Sequence, residues 1–152
     1  MGAEFWSHFV PYREDIRTAL EELREQEFRA GRFRIPSQIQ PGFFGRMFGR
    51  HPRKPRPPTT IEEAIRMADT DATGTHSVLD MERISETPAS GAVWRLSAEE
   101  LRCLFGTVEP TRKMVEESEE LIDRIDRGQG VCVITYREGK PEGLYFAGYS
   151  YD

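Results

Sequence analysis

The chain has little cysteine, two thiols (Cys103 and Cys132) in 152 residues. That excludes a disulfide framework, and a reducing compartment, the cytoplasm, is the expected setting. No apolar run approaches the roughly eighteen residues a membrane helix needs, so no membrane partner is expected. The opening stretch, Met1 to Asp15, lacks a basic start followed by an apolar segment, so no secretory leader is expected there. Gly2 suits N-myristoylation, but Trp6 stands where that signal needs Ser or Thr. There is no G-x-x-x-x-G-K-S/T, no G-x-G-x-x-G and no G-x-S-x-G. The Gly128/Gly130 pair is too short to cradle phosphates and follows a helical stretch instead of opening one. No cofactor is expected. A charged fraction of 31% beside a hydrophobic fraction of 38% describes a soluble chain. Its length suits one domain, 1–152, able to bury a core of its own.

The sharpest absence is local. From Arg29 to Thr60 there is no Asp or Glu, while Arg29, Arg32, Arg34, Arg46, Arg50, Arg53, Lys54 and Arg56 all fall there. All 26 acids and the other 13 of the 21 Lys and Arg lie elsewhere, so a chain of net charge -5 is a +8 segment set in a -13 body. Such a partition concerns contacts, within the molecule or between molecules. The same stretch holds Pro36, Pro41, Pro52, Pro55, Pro57 and Pro58 with Gly42, Gly45 and Gly49. It therefore reads as a long basic Pro/Gly-rich loop over 29–59, inserted in the domain. Within it Phe-Gly-Arg occurs twice, so one helical turn would set Phe44 beside Phe48 and Arg46 beside Arg50.

Around that loop the periodicities alternate. Phe5, Ser7 and Phe9 against Trp6, His8 and Val10 give a strand at about 4–10, ended by Pro11. Ile16, Leu20, Leu23 and Phe28 make the stripe of a helix over 13–29, closed by Gly31. Thr60 with Glu63 reads as a capping box before Ile61, Ala64, Ile65 and Ala68. Residues 75–85 read as a strand, and 86–92 as a loop. Ser97 with Glu100 opens another helix, ended by Gly106. Met114, Leu121, Ile122 and Ile125 mark a helix from Pro110 to Arg127. Val131 to Tyr136 is a β-rich run, turned at Glu138-Gly139-Lys140-Pro141 and returning from Leu144 to Tyr151. The expectation is α+β: a mixed or antiparallel sheet of about four strands ending in a C-terminal hairpin, covered by about four helices.

Three blocks carry a resemblance: GAEFWSHFVPY; IEEAIRMAD with GTHSVLDMERIS; and ELRCLFGTVEPTRKMVEE with RGQGVCVITYREGKPEGLYFAGYSYD. They resemble a family of small uncharacterised bacterial proteins of about this length with no assigned activity. The resemblance implies one α+β domain and transfers no catalytic residue. The basic loop lies outside the three blocks.

Several residue groups are candidates for chemistry. Over Asp69–Asp80, the residues Asp69, Asp71, Thr73, the Thr75 carbonyl, Ser77 and Asp80, with Gly74 at the sixth position, fall on the spacing of a calcium loop. Against that, His76 stands where an apolar residue pairs with a second loop, Asp80 is shorter than the usual Glu, and no second copy exists. The competing reading is a polar turn in which Gly74 supplies a positive φ. His8, His51 and His76 have no ligand at zinc-like spacing and read as structural. Cys132, between two valines, reads as core. Cys103 lies off the apolar face of its helix with no base nearby in sequence, so catalysis by it is not expected. Glu116, Glu117, Glu119, Glu120, Asp123 and Asp126 read as a solvated helix face. Tyr145, Tyr149 and Tyr151 share one strand face, which either covers core or forms a contact surface.

The sequence thus points to a protein that binds another macromolecule and carries no catalysis. The first reading is a protein partner, in a regulatory or immunity-type role, met by Arg46, Arg50, Arg53, Lys54, Phe44 and Phe48 and by Tyr145 and Tyr149. A nucleic-acid partner for the Arg/Phe loop ranks second, because the acidic body repels a polyanion. Calcium binding through Asp69, Asp71 and Asp80 ranks third. The same loop has a structural alternative, in which it docks on the acidic helix of its own chain.

Overall fold

The computed structural model describes residues 2–35, 56–69 and 74–151. Strand β1 (Phe5–Pro11) leads to helix α1 (Ile16–Arg29), and helix α2 is Ile61–Asp69. A 3-10 turn at Val78–Asp80 precedes the short strands β2 (Arg83–Ser85) and β3 (Ala92–Arg95). Helices α3 (Ala98–Phe105), α4 (Arg112–Glu116) and α5 (Glu119–Asp123) follow, then β4 (Gln129–Arg137) and β5 (Lys140–Tyr149). The five strands form one mixed sheet in the order β1-β5-β4-β3-β2. β1, β5 and β4 pair antiparallel, while β4, β3 and β2 run parallel. The fold is α+β, and no helix among the described residues is long and apolar enough to cross a membrane.

Strand alternation divides the core in two. Trp6, Cys132, Leu144 and Phe146 pack from one face of the sheet against Ile16, Ala19, Leu20 and Leu23 of α1 and against Val78 and Met81. Val131, Val133, Tyr145 and Ala147 pack from the other face against Val115, Leu121 and Ile125, with Leu101, Leu104 and Phe105 at the margin. Because side chains alternate along a strand, β4 and β5 serve both layers and run apolar without alternation over 131–134 and 144–147. Trp6 lies flat over Gly148, where any Cβ would collide with its ring and with the Gln129 carbonyl; the missing side chain lets the indole reach the sheet.

The caps explain where the helices begin. Asp15 accepts from the Arg17 and Thr18 N–H groups and starts α1 later than residue 13. Ser97 and Glu100 make both bonds of a capping box on α3, and Gly106 ends it at φ 69°. The Thr60 hydroxyl accepts from the Glu63 N–H at 3.1 Å, but the Glu63 carboxylate reaches back to Thr59 instead of closing on Thr60.

Three expectations are corrected. The strand read over 75–85 shrinks to β2, because Thr75, Ser77 and Asp80 bond their own backbone: Ser77 Oγ accepts from the Leu79 N–H and Asp80 Oδ1 from the Thr75 N–H. Such local bonds compete with a ladder. Strand β3 lies inside and after an expected loop, which raises the count to five among the described residues. The helix read from 110 to 127 is two short ones, since Ser118 caps a new turn by accepting from the Leu121 N–H at 3.2 Å.

Candidate functional site

The cationic stretch enters the described structure at its two roots. Arg29 lies 3.4 Å from Glu25. Arg32 makes a two-pronged pair with Glu27, both bonds 2.7 Å. Arg34 reaches Glu4 at 3.1 Å, and its backbone N–H donates to the Thr75 carbonyl at 2.8 Å. At the far root Arg56 meets Glu63 at 2.9 Å. Each described cation of the stretch is thus paired with an acid of β1's approach, α1 or α2. None of these four pairs involves the acidic run over 116–126, where the structural alternative would dock the loop. Arg46, Arg50, Arg53, Lys54, Phe44 and Phe48 lie outside the described residues, as do His51, Asp71 and Thr73.

Most of these pairs are exposed and individually weak, but Glu27 is different. It is buried on the core side of α1 and sits 4.0 Å from His8 Nδ1. The hydrogen bonds from Arg32 hold its carboxyl below the usual carboxylate range, against the cost of burial. Burial pushes His8 down, opposed by Glu27. Removing Arg32 would leave a buried carboxylate with only the His8 imidazole beside it among the described residues, so this root is the firmer of the two.

The turn over 74–80 forms a second polar centre. Asp80 is buried, and its Oδ1 accepts from the Thr75 N–H at 2.7 Å and the Thr75 hydroxyl at 2.8 Å. Its Oδ2 is buried with no hydrogen-bond partner among the described residues. Burial raises the Asp80 carboxyl above its ordinary value, against the Thr75 bonds and the nearby His76. A Cβ on Gly74 would stand 2.7 Å from Oδ2 and 2.9 Å from the Tyr151 ring, so this glycine, at φ 68°, is demanded by both space and backbone. Here the turn reading gains detail. The Thr75 carbonyl serves Arg34, the Ser77 hydroxyl serves Leu79 and Thr75, and Asp69 is exposed at the end of α2. Among the described residues no three His, Cys, Asp or Glu side chains gather as a metal site.

The remaining candidates fall into place individually. Tyr145 is buried in the second core layer, against Phe9 at 4.6 Å between ring centres. Tyr149 is half-buried at the margin of that layer, beside Phe5 at 5.4 Å. Tyr145 therefore fills core, and Tyr149 shows only an edge. Cys132 is enclosed, and burial pushes its thiol up to about 12, which makes it inert. Cys103 is exposed, and Arg124 Nη2 lies 3.7 Å from its sulfur. That cation was invisible in sequence because it stands on the far side of α4 and α5. Glu116, Glu117, Glu119, Glu120, Asp123 and Asp126 are all exposed.

No family model matches this sequence, and no curated protein or solved structure matches it. The functional reading therefore rests on the geometry above.

Proposed function

We propose that this protein acts by binding an acidic face of another protein, in a regulatory or immunity-type role, through the cationic stretch between Arg34 and Arg56, and that it has no catalysis of its own. The supporting observation is the double tether. Arg32 and Arg34 fasten one root of the stretch to Glu27 and Glu4, and Arg56 fastens the other to Glu63. Between the tethers the sequence carries Arg46, Arg50, Arg53 and Lys54 with Phe43, Phe44 and Phe48, and no acid to neutralise them. A cationic group with interleaved rings, fixed at both ends to an anionic body, suits a partner that is acidic over a compact area. An extended polyanion would also meet the repulsive body.

The test uses two probes, a fluorescent polyglutamate peptide and a fluorescent single-stranded DNA, each titrated at low and physiological salt. Polyglutamate should bind more tightly than DNA and weaken as salt rises. Joint charge reversal at Arg46, Arg50, Arg53 and Lys54 should weaken it by roughly tenfold or more. Tighter binding of DNA would move the stretch to a nucleic-acid role. Binding of neither probe at low salt would sink the proposal.

A further inference from the structure

The two edges of the sheet are built differently. β2 is three residues long, carries Arg83, and is followed by Glu86 and Pro88. Short, charged and proline-flanked edges resist pairing with other chains. β1 is seven residues long, has no Lys, Arg, Asp or Glu within it, and has its one proline at its last position. Only Pro11, at its end, provides the usual protection of an edge, and Phe5 to Val10 carry none.

Its hydrogen-bonding parity can be read from its ends. The Ser150 N–H donates to the Glu4 carbonyl at 3.0 Å, and the Tyr12 N–H to the Glu142 carbonyl at 3.3 Å. In an antiparallel pair the residues bonded to one neighbour alternate with those that face away. Even-numbered positions of β1 therefore bond β5, and the backbone N–H and C=O groups of Phe5, Ser7 and Phe9 point outward. Among the described residues no other strand pairs with that side. Ser7 is exposed, and Phe5 is 41% exposed.

The outward set is palindromic: Phe5, Ser7, Phe9. A two-fold axis perpendicular to the sheet keeps its faces, so an antiparallel copy must meet β1 in a register where facing residues share a face. Centring that axis on Ser7 pairs Ser7 with its own copy and Phe5 with Phe9 of the second molecule. Every outward N–H of the three residues then finds an outward carbonyl. The small Ser7 side chains meet at the axis, and a ring lies opposite a ring on each side. No charged side chain faces a like one across these pairs.

We propose that β1 is a self-association edge, at which two copies of this chain join antiparallel about Ser7 into a continuous ten-stranded sheet. The proposal uses residues of β1 alone, and its test does not depend on the binding role proposed above. A seam of one strand pair lies at the small end of protein interfaces, so the association belongs in the micromolar range.

Sedimentation over about 1 to 300 µM reads it directly, that being the range in which a small interface dissociates. Wild-type protein should shift from monomer to dimer across the scan. Ser7→Lys places two like charges at the axis and should raise the dissociation constant by roughly tenfold or more. Ser7→Pro removes an outward N–H that serves no internal ladder and should do the same. Ser7 also bonds the Tyr145 hydroxyl, so circular dichroism must show each variant folded. Ser85→Lys on β2 should leave the dimer unchanged. A wild type that stays monomeric throughout overturns the proposal. So does a dimer that survives in a folded Ser7→Lys or Ser7→Pro protein, or one that Ser85→Lys abolishes.

Discussion

Helix α2 is bordered by two carboxylates that make the same bonds in opposite settings. Before and within its first turn, Glu63 Oε2 accepts from the N–H and the hydroxyl of Thr59, at 2.8 and 2.9 Å. Beyond its end, Asp80 Oδ1 accepts from the N–H and the hydroxyl of Thr75, at 2.7 and 2.8 Å. Glu63 lies on the surface, and its second oxygen takes Arg56 at 2.9 Å. The Thr59 N–H, Arg56 and the Thr59 hydroxyl hold its carboxyl down at about 2. Asp80 is enclosed, its second oxygen has no partner among the described residues, and burial moves it the other way. A hydrogen-bond pattern therefore does not fix the proton affinity of a carboxyl. What decides it is whether the remaining oxygen meets a cation and whether water reaches the group.

The largest expected effect comes from pressing on the enclosed side. Gly74→Ala puts a methyl 2.7 Å from Asp80 Oδ2 at a backbone of φ 68°. Left-handed strain and the overlap together should cost about 2 to 4 kcal/mol. Thermal unfolding should show a drop of several degrees, and an unchanged melting temperature would mean that the turn is looser than its contacts imply. Next in size is Thr75→Val, which removes a buried hydroxyl from Asp80 and should cost about 1 to 3 kcal/mol. Thr59→Val removes the matching hydroxyl from Glu63, where water can replace it, and should cost clearly less. Equal losses in the two variants would contradict the contrast between an enclosed and an open carboxylate.

The two ends of α2 were unequally readable from sequence. The pair Thr60 and Glu63 announced a helix start because capping is local, although the carboxylate closes on Thr59, one residue earlier. The enclosure of Asp80 depends on Gly74, Tyr151 and the sheet, which come together only in three dimensions. For the same reason the stretch 75–85 read as a strand, and Thr75, Ser77 and Asp80 as ligands of a cation, when their side chains bond the turn itself. Strand β4 was visible as a continuous β-rich run because it is buried on both faces. β3, four residues long, was too short for any period to show. Of the candidate contact residues, Tyr145 was ambiguous because a tyrosine suits a core layer as well as a surface. Arg32 reads in sequence as one more cation of a basic run, since nothing local announces that its partner Glu27 continues the buried stripe of Ile16, Leu20 and Leu23.

Titration gives the two carboxylates opposite signatures. Asp80 has a folded-state value above its unfolded value, so the folded protein holds that proton more tightly. Its contribution is fully present below the unfolded value of about 3.9 and is lost as pH rises through the raised folded value. Glu63 is depressed to about 2. Its contribution is present above the unfolded value of about 4.3 and is lost as pH falls toward 2. Melting temperature measured against pH should therefore lose part of its acid-side fall in Glu63→Gln, the remainder belonging to other depressed carboxyls such as Glu27. It should lose part of its decline above pH 4 in Asp80→Asn. The same pH profile in wild type and Asp80→Asn would mean that Asp80 titrates normally, and the comparison would collapse.

Arg56→Ala should have the smallest effect on stability. Its partner Glu63 is half-buried at the surface and keeps both Thr59 bonds, and an isolated surface pair contributes little. The melting temperature should stay within about two degrees of wild type. Its consequence belongs to the cationic stretch, because Arg56 is the tether at the far root. Losing it frees that end from the body while leaving Arg46, Arg50, Arg53 and Lys54 in place. If the tether presents those cations, polyglutamate binding should weaken more than the loss of one charge explains, so Arg56→Ala should bind less well than Arg50→Ala, which removes the same charge without untying the root. Equal affinities in the two variants would reduce Arg56 to one cation among eight. The open carboxylate would then serve helix α2 alone, with no part in holding the stretch out to a partner.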